Sequence, residues 1–157
     1  MRAGLPKQVF FWSGVSVLVL CGWAGAATWT CSTIGQVENA TRNYAPGDEI
    51  VLLPGTYVVE AYLHLNRGEV IFRGSTGNPD DVILQGPGMN NNVDPKEGLL
   101  VESDDVTIMD LTIREFWYNG IHIRGENDCD RMWVYNVKTH DIGERHIKGS
   151  TNNSDAN

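Results

Sequence analysis

Cysteine is scarce in this chain of 157 residues: there are three, Cys21, Cys31 and Cys129, without any framework spacing. That excludes a small disulfide-stapled domain. The two cysteines beyond residue 27 read as separate buried thiols or as one long-range pair, the first being the plainer account. Basic runs are absent as well. Lys and Arg number 12 against 20 Asp and Glu, a formal charge of −8, and no stripe of cations offsets it, so nucleic acid is not an expected partner. Amphipathic helical stretches are missing from residue 50 onward, which rules out alternating α/β architecture.

The long apolar run that is present lies at the N terminus. Arg2 and Lys7 precede an uncharged stretch from Val9 to Trp23 that ends in Ala24-Gly25-Ala26-Ala27. This is the pattern of a removable secretory signal over residues 1–27. An uncleaved anchor would have to cross a bilayer with the same run at about 1.5 Å per residue, and Gly14 and Ser16 dilute it. Lipid attachment at Cys21 fails because Leu20, rather than a small residue, precedes it. Cleavage takes two cations from a charge of −8 and leaves −10. The mature chain is then expected to be secreted or periplasmic, without a membrane partner.

From Ile50 the sequence falls into short β-branched runs punctuated by Gly, Asn, Asp and Pro: Ile50 to Leu53, Tyr57 to Val59, Val70 to Phe72, Val82 to Leu84, Leu99 to Val101, Val106 to Ile108, Leu111 to Ile113, Ile121 to Ile123 and Val134 to Val137. Such runs suit a sandwich, a barrel or a solenoid. An internal repeat selects the solenoid. Gly98-Leu99-Leu100-Val101 recurs as Gly120-Ile121-His122-Ile123, and at a similar interval beyond that as Arg145-His146-Ile147-Lys148-Gly149. Between these copies, Val106 to Ile113 matches Met132 to Val137, with Asp110 and Asn136 each just before the aliphatic residue that resumes the strand. Ahead of the coils, Ile34 to Arg42 puts Ile34, Val37 and Ala40 on one side and reads as a short helix plugging the open top.

The string Pro46-Gly47-Asp48-Glu49-Ile50-Val51-Leu52-Leu53-Pro54-Gly55-Thr56-Tyr57 resembles the lead-in motif of the pectate-lyase-like superfamily of right-handed parallel β-helix proteins. Gly74 to Leu84 and Asp104 to Ile113 are similar to later stretches of the same superfamily. The resemblance covers residues 34–149 and implies an all-β, right-handed parallel β-helix with a short N-terminal capping helix. The resemblance, together with the N-terminal pattern above, divides the chain into a signal (1–27), a cap and lead-in segment (28–49) and first coils (50–157), expected to continue beyond residue 157. It is weak for activity, because lyases, hydrolases, epimerases, adhesins and inert spikes share the architecture.

Period-2 alternation sends Leu99, Val101, Ile121, Ile123 and Ile147 inward and His122, Arg124, His146 and Lys148 outward. Aligned by the repeat, His122 stacks on His146 and Arg124 on Lys148. Like charges about 5 Å apart repel by roughly 3 kcal/mol at an effective dielectric near 20, so the rows call for an anion. Glu102, Glu126 and Glu144 could supply it from within the chain, which makes the face structural. The functional reading supplies it from a uronic acid sugar, with Arg124 neutralising a developing enolate and Lys148, His122 or His146 moving a proton. The candidate catalytic residues are therefore His122, Arg124, His146 and Lys148. Trp117 and Tyr118 are candidate sugar-stacking residues, with one member of Phe116-Trp117-Tyr118 packed inside. Asp104, Asp105, Glu126, Asp128 and Asp130 could bind calcium through oxygen ligands, although acids at coil corners more often bond their own backbone; no cofactor is expected. The expected protein is a monomer acting on an acidic polysaccharide as lyase, hydrolase or epimerase, or else a non-catalytic surface or carbohydrate-binding solenoid.

Overall fold

The computed structural model describes residues 25–127 and 129–151. The expected signal lies almost wholly outside them. The chain folds as a parallel β-solenoid with one short helix, as the repeat implies. Strand β1 (Thr28–Cys31) precedes helix α1 (Ile34–Asn43), after which come β2 (Glu49–Leu52), β3 (Gly55–Val58), β4 (His64–Leu65), β5 (Val70–Gly74), β6 (Val82–Gln85), β7 (Glu97–Val101), β8 (Val106–Phe116), β9 (Asn119–Arg124), β10 (Trp133–Ile142) and β11 (Arg145–Ser150).

Helix α1 begins where Thr33 caps it. Its side chain accepts from the Gln36 N–H, and Gln36 Oε1 accepts from the Ser32 N–H at 2.8 Å, a near relative of the capping box. Val37 and Ala40 are fully buried, so the apolar side plugs the first coil as expected. The helix ends at Tyr44, ahead of Pro46.

One parallel sheet runs β1-β2-β5-β8 and also β3-β6-β8, with β10 beyond β8; the other runs β4-β7-β9-β11. The two runs expected at 106–108 and 111–113 form the single strand β8, whose first half pairs β5 and whose second half pairs β6. Bends in β8 and β10 fall at residues with left-handed backbone, stacked coil on coil: Asp110 (φ 59) beside Asn136 (φ 49), and Glu115 (φ 61) beside Asp141 (φ 53). Left-handed backbone costs roughly 1–2 kcal/mol for an ordinary residue, and here a side-chain ladder offsets it. Asn136 Nδ2 donates to Asp110 Oδ1 at 2.7 Å and to the Gly77 carbonyl at 2.9 Å.

Inside, equivalent residues stack in apolar ladders. Ile50 sits on Phe72, Phe72 on Ile108 and Ile108 on Val134. The first three are fully buried, whereas Val134 is 36% exposed because no described strand lies on the far side of β10. For the same reason Ile147, an expected core residue, is 48% exposed, while Leu99, Val101 and Ile121 are fully buried. Cys31 and Cys129 are separate thiols rather than a disulfide pair; Cys31 is buried, but Cys129 only partly so. The Cys129 thiol donates to the Arg124 carbonyl at 3.0 Å.

Candidate functional site

Strands β7, β9 and β11 stack in one parallel sheet, as the repeat implies, and β4 extends that sheet by one coil. Its outward face carries a row in which His64 lies beside Leu100, Leu100 beside His122, and His122 beside Lys148. A neighbouring row places Arg124 beside Ser150, with Glu102 reaching Arg124 from the preceding coil.

The stacking expected of the four cationic candidates is therefore corrected. His122 does not lie on His146, nor Arg124 on Lys148. Ile147 pairs with Ile121 rather than with Ile123, and His146 falls level with Gly120. The turn after β9, with its single 3-10 turn Gly125–Asn127, is longer than the letters of the repeat suggested, and the inward Ile121–Ile147 contact sets the register. A slip of two positions preserves the inward or outward sense of every side chain. Lys148 and His146 have no hydrogen-bond or ion-pair partner among the described residues.

His122 faces outward but is only 7% exposed. Its Nδ1 lies 2.9 Å from Glu97 Oε1 and its Nε2 lies 3.2 Å from Ser150 Oγ. Glu97 Oε1 also accepts from Asn119 Nδ2 at 2.7 Å. Ser150 in turn donates to Glu126 at 2.5 Å. That hydroxyl, then the residue's own backbone N–H and the positive fields of His122 and Arg124, hold the Glu126 carboxyl below its usual range. Burying Glu97 is tolerable because Asn119 and His122 both sit within hydrogen-bond distance of its carboxylate.

Arg124 occupies a more open position. Its Nη1 donates to Glu102 Oε1 at 2.7 Å, and the other oxygen of that carboxylate lies 2.8 Å from His64 Nδ1. Glu102 thus ties together three successive coils, and its partners border a groove of about 380 Å³ lined by Tyr62, His64, Glu97, Leu100, Tyr118 and Arg124. Through Tyr62 and His64 the groove continues into a hollow of about 390 Å³ where Arg42 and Arg67 join the wall. Tyr62 donates to Asp94 at 2.6 Å, and burial, followed by that hydrogen bond, pushes its phenol up from the ordinary range.

Of the aromatic candidates, Tyr118 is exposed in the groove, with the Lys96 ammonium 5.4 Å from its ring centre. Trp117 packs at 6.3 Å against Tyr118 rather than lining the groove, and Phe116 is the member packed inside. Tyr62, His64 and Glu97 were not among the residues expected here. A signal for His64 was present, because Leu63-His64-Leu65 alternates as Ile121-His122-Ile123 does.

Two of the five acids considered for calcium, Asp104 and Asp105, pair with a cation from the chain itself. Arg131 Nε donates to Asp105 Oδ1 at 2.7 Å and Nη2 to Asp104 Oδ2 at 3.0 Å. Asp105 lies below the usual carboxylate range, held there first by the hydrogen bond from Arg131. Asp128 lies outside the described residues, among which no three His, Cys, Asp or Glu side chains gather to hold a metal ion.

No family model matches the chain, and no curated protein matches it in sequence. Among solved structures it is similar to an alginate lyase from Paenibacillus sp. str. FPU-7, with a TM-score of 0.52 over 79% of this chain, at 20% identity. The chain spans 44% of that enzyme. At this level of identity the likeness is one of fold.

Proposed function

We propose that the groove on the β4-β7-β9-β11 face binds an acidic polysaccharide and that the chain belongs to a secreted carbohydrate-active protein of the lyase class. One observation carries this reading. Arg124 is 37% exposed at its side chain, held in place by a carboxylate that is itself only 13% exposed. A guanidinium fixed in this way keeps further N–H donors for a planar carboxylate such as a uronic acid presents. Tyr118 and Tyr62 offer apolar surface beside it, and Lys148, one coil past His122, adds a second cation. The alginate lyase of similar fold acts on a polymer of this chemistry, which supports the substrate class.

In a lyase, Arg124 would neutralise charge developing on the sugar carboxylate as its α-proton leaves. The test uses the whole chain with alginate and polygalacturonate, following the ultraviolet absorbance of the unsaturated product. Wild-type protein should generate it from at least one polymer, and Arg124→Ala should lower kcat/KM by about 100-fold or more, the scale of losing an electrostatic stabiliser. Absence of product with both polymers would count against the lyase class.

A second reading, a non-catalytic carbohydrate-binding solenoid, has its own observation. Trp133 and Tyr135, two positions apart on β10, are 70% and 67% exposed on the outer face of the other sheet. Exposed aromatics about 7 Å apart on one strand make a stacking platform. Polymer binding without product, lost on substitution of Trp133 rather than Arg124, would favour it.

A further inference from the structure

Two of the histidines on this sheet, His64 and His122, have surroundings that give them different capacities. His122 has a neighbour at each ring nitrogen, Glu97 at Nδ1 and Ser150 at Nε2, and is nearly buried. A base must come within hydrogen-bond reach of the proton it abstracts, and His122 has neither a free nitrogen nor an open approach. His64 is built the other way. Its side chain is 42% exposed, its Nδ1 lies 2.8 Å from Glu102, and Nε2 has no hydrogen-bond partner among the described residues. Because an ionised carboxylate only accepts hydrogen bonds, Glu102 selects the form of His64 that carries its proton on Nδ1. That leaves the lone pair of Nε2 directed away from the carboxylate, on a ring that lines the groove.

The same carboxylate holds Arg124 through its other oxygen at 2.7 Å. A single half-buried carboxylate therefore fixes the guanidinium and the imidazole side by side, with the phenol of Tyr62 against the imidazole, ring centres 6.3 Å apart. This is the pairing that elimination from a uronate requires: a cation for the carboxylate and a base for the carbon next to it.

Resting on the reading of the groove as a uronate site, we infer that His64 is its catalytic base and Glu102 the positioning residue that sets the tautomer of His64. Nε2 takes the proton from the carbon that bears the sugar carboxylate. The electrons of that C–H bond form the double bond to the neighbouring carbon as its bond to the glycosidic oxygen breaks. Arg124 neutralises the carboxylate in between, and Nε2–H then gives its proton to the departing oxygen. No oxidant or second substrate is consumed. His122, by contrast, is a structural member of the Glu97–Asn119 cluster.

The test compares wild-type chain with His64→Ala, His64→Gln, Glu102→Gln and His122→Ala on alginate and polygalacturonate, measuring kcat and KM separately. His64→Ala and His64→Gln should lower kcat by about 100-fold or more, the usual contribution of a positioned base, with KM changed less than about threefold. Added imidazole should restore part of the turnover of His64→Ala. A residue that merely stacks coils would show no such rescue. Glu102→Gln should lower kcat without becoming responsive to imidazole. A kcat within about threefold of wild type in both His64 variants, with the Arg124→Ala defect in place, would overturn the assignment of His64 alone. So would a loss that imidazole leaves unchanged, or a larger loss in His122→Ala than in His64→Ala. Wild-type chain that yields no unsaturated product would overturn both this inference and the lyase reading beneath it.

Discussion

Gly74 closes β5 at a corner where the next coil comes unusually near. A β-carbon built on it would lie 2.1 Å from the carbonyl oxygen of Asp110 and 3.2 Å from Val82 Cγ2. The obstacle is backbone, and Asp110 is itself held in the left-handed region and bonded to Asn136, so it has little freedom to retreat. Gly74→Ala must therefore push two coils apart by roughly 1 Å locally, against a stacking repeat of about 4.8 Å. Overpacking in a well-filled interior costs about 1–3 kcal/mol, and a backbone clash belongs at the upper end. Gly35 supplies the opposite case. It lies in the first turn of α1 with nothing within 4 Å of a β-carbon, so Gly35→Ala should stabilise the chain by a few tenths of a kcal/mol. Urea unfolding followed by circular dichroism distinguishes the two. With a slope of about 1–3 kcal/mol per molar urea, Gly74→Ala should lower the midpoint by about 1 M or more, whereas Gly35→Ala should raise it slightly. A Gly74→Ala midpoint within about 0.2 M of wild type would refute this register at the corner.

Asp48 accepts from the Ala27 N–H at 2.7 Å, the Trp29 indole at 2.8 Å and the Ala45 N–H at 2.9 Å. Asp48→Ala should cost about 2–3 kcal/mol, since three part-buried hydrogen bonds to one carboxylate are lost together, and should shift Trp29 fluorescence before the rest of the chain unfolds. Burial raises the Asp48 pKa, but these three hydrogen bonds outweigh it and leave it below the usual carboxylate range. Its stabilisation should therefore be complete above about pH 4 and be lost as pH falls through the depressed value, which acid titration of wild type against Asp48→Asn will show. Glu97→Ala should destabilise by about 3 kcal/mol, because His122 and Asn119 lose a buried acceptor, measured by the same urea assay. Arg131→Ala, at an exposed pair, should change stability by under about 1 kcal/mol.

Fold was more legible than site because it rests on a pattern repeated in every coil. Ile50, Leu84, Ile108 and Ile121 declare their burial by alternation alone, and Val37 and Ala40 declare the cap. The site depends on register, where matching letters mislead. Setting His122 against His146 by identity places the third copy two positions out of step, although Asp110 and Asn136, recognisable as equivalent from the sequence, imply the spacing observed in β10 against β8. Letter identity has no physical weight, whereas the turn residues and inward aliphatics do. His64 was harder to place. Its strand has two residues, and the segment between it and Leu100 contains β5, β6 and a long loop, so its row becomes visible only once the coils are stacked.

If Arg124, fixed by Glu102, anchors a uronate in the groove as proposed, calorimetric titration of the whole chain with oligouronates will register it. Wild-type chain should bind an alginate or polygalacturonate oligomer, and Arg124→Ala should bind it at least about tenfold more weakly, a loss of about 1.4 kcal/mol, with circular dichroism showing the fold retained. Equal affinity in wild-type and Arg124→Ala chains would remove Arg124 from the binding site.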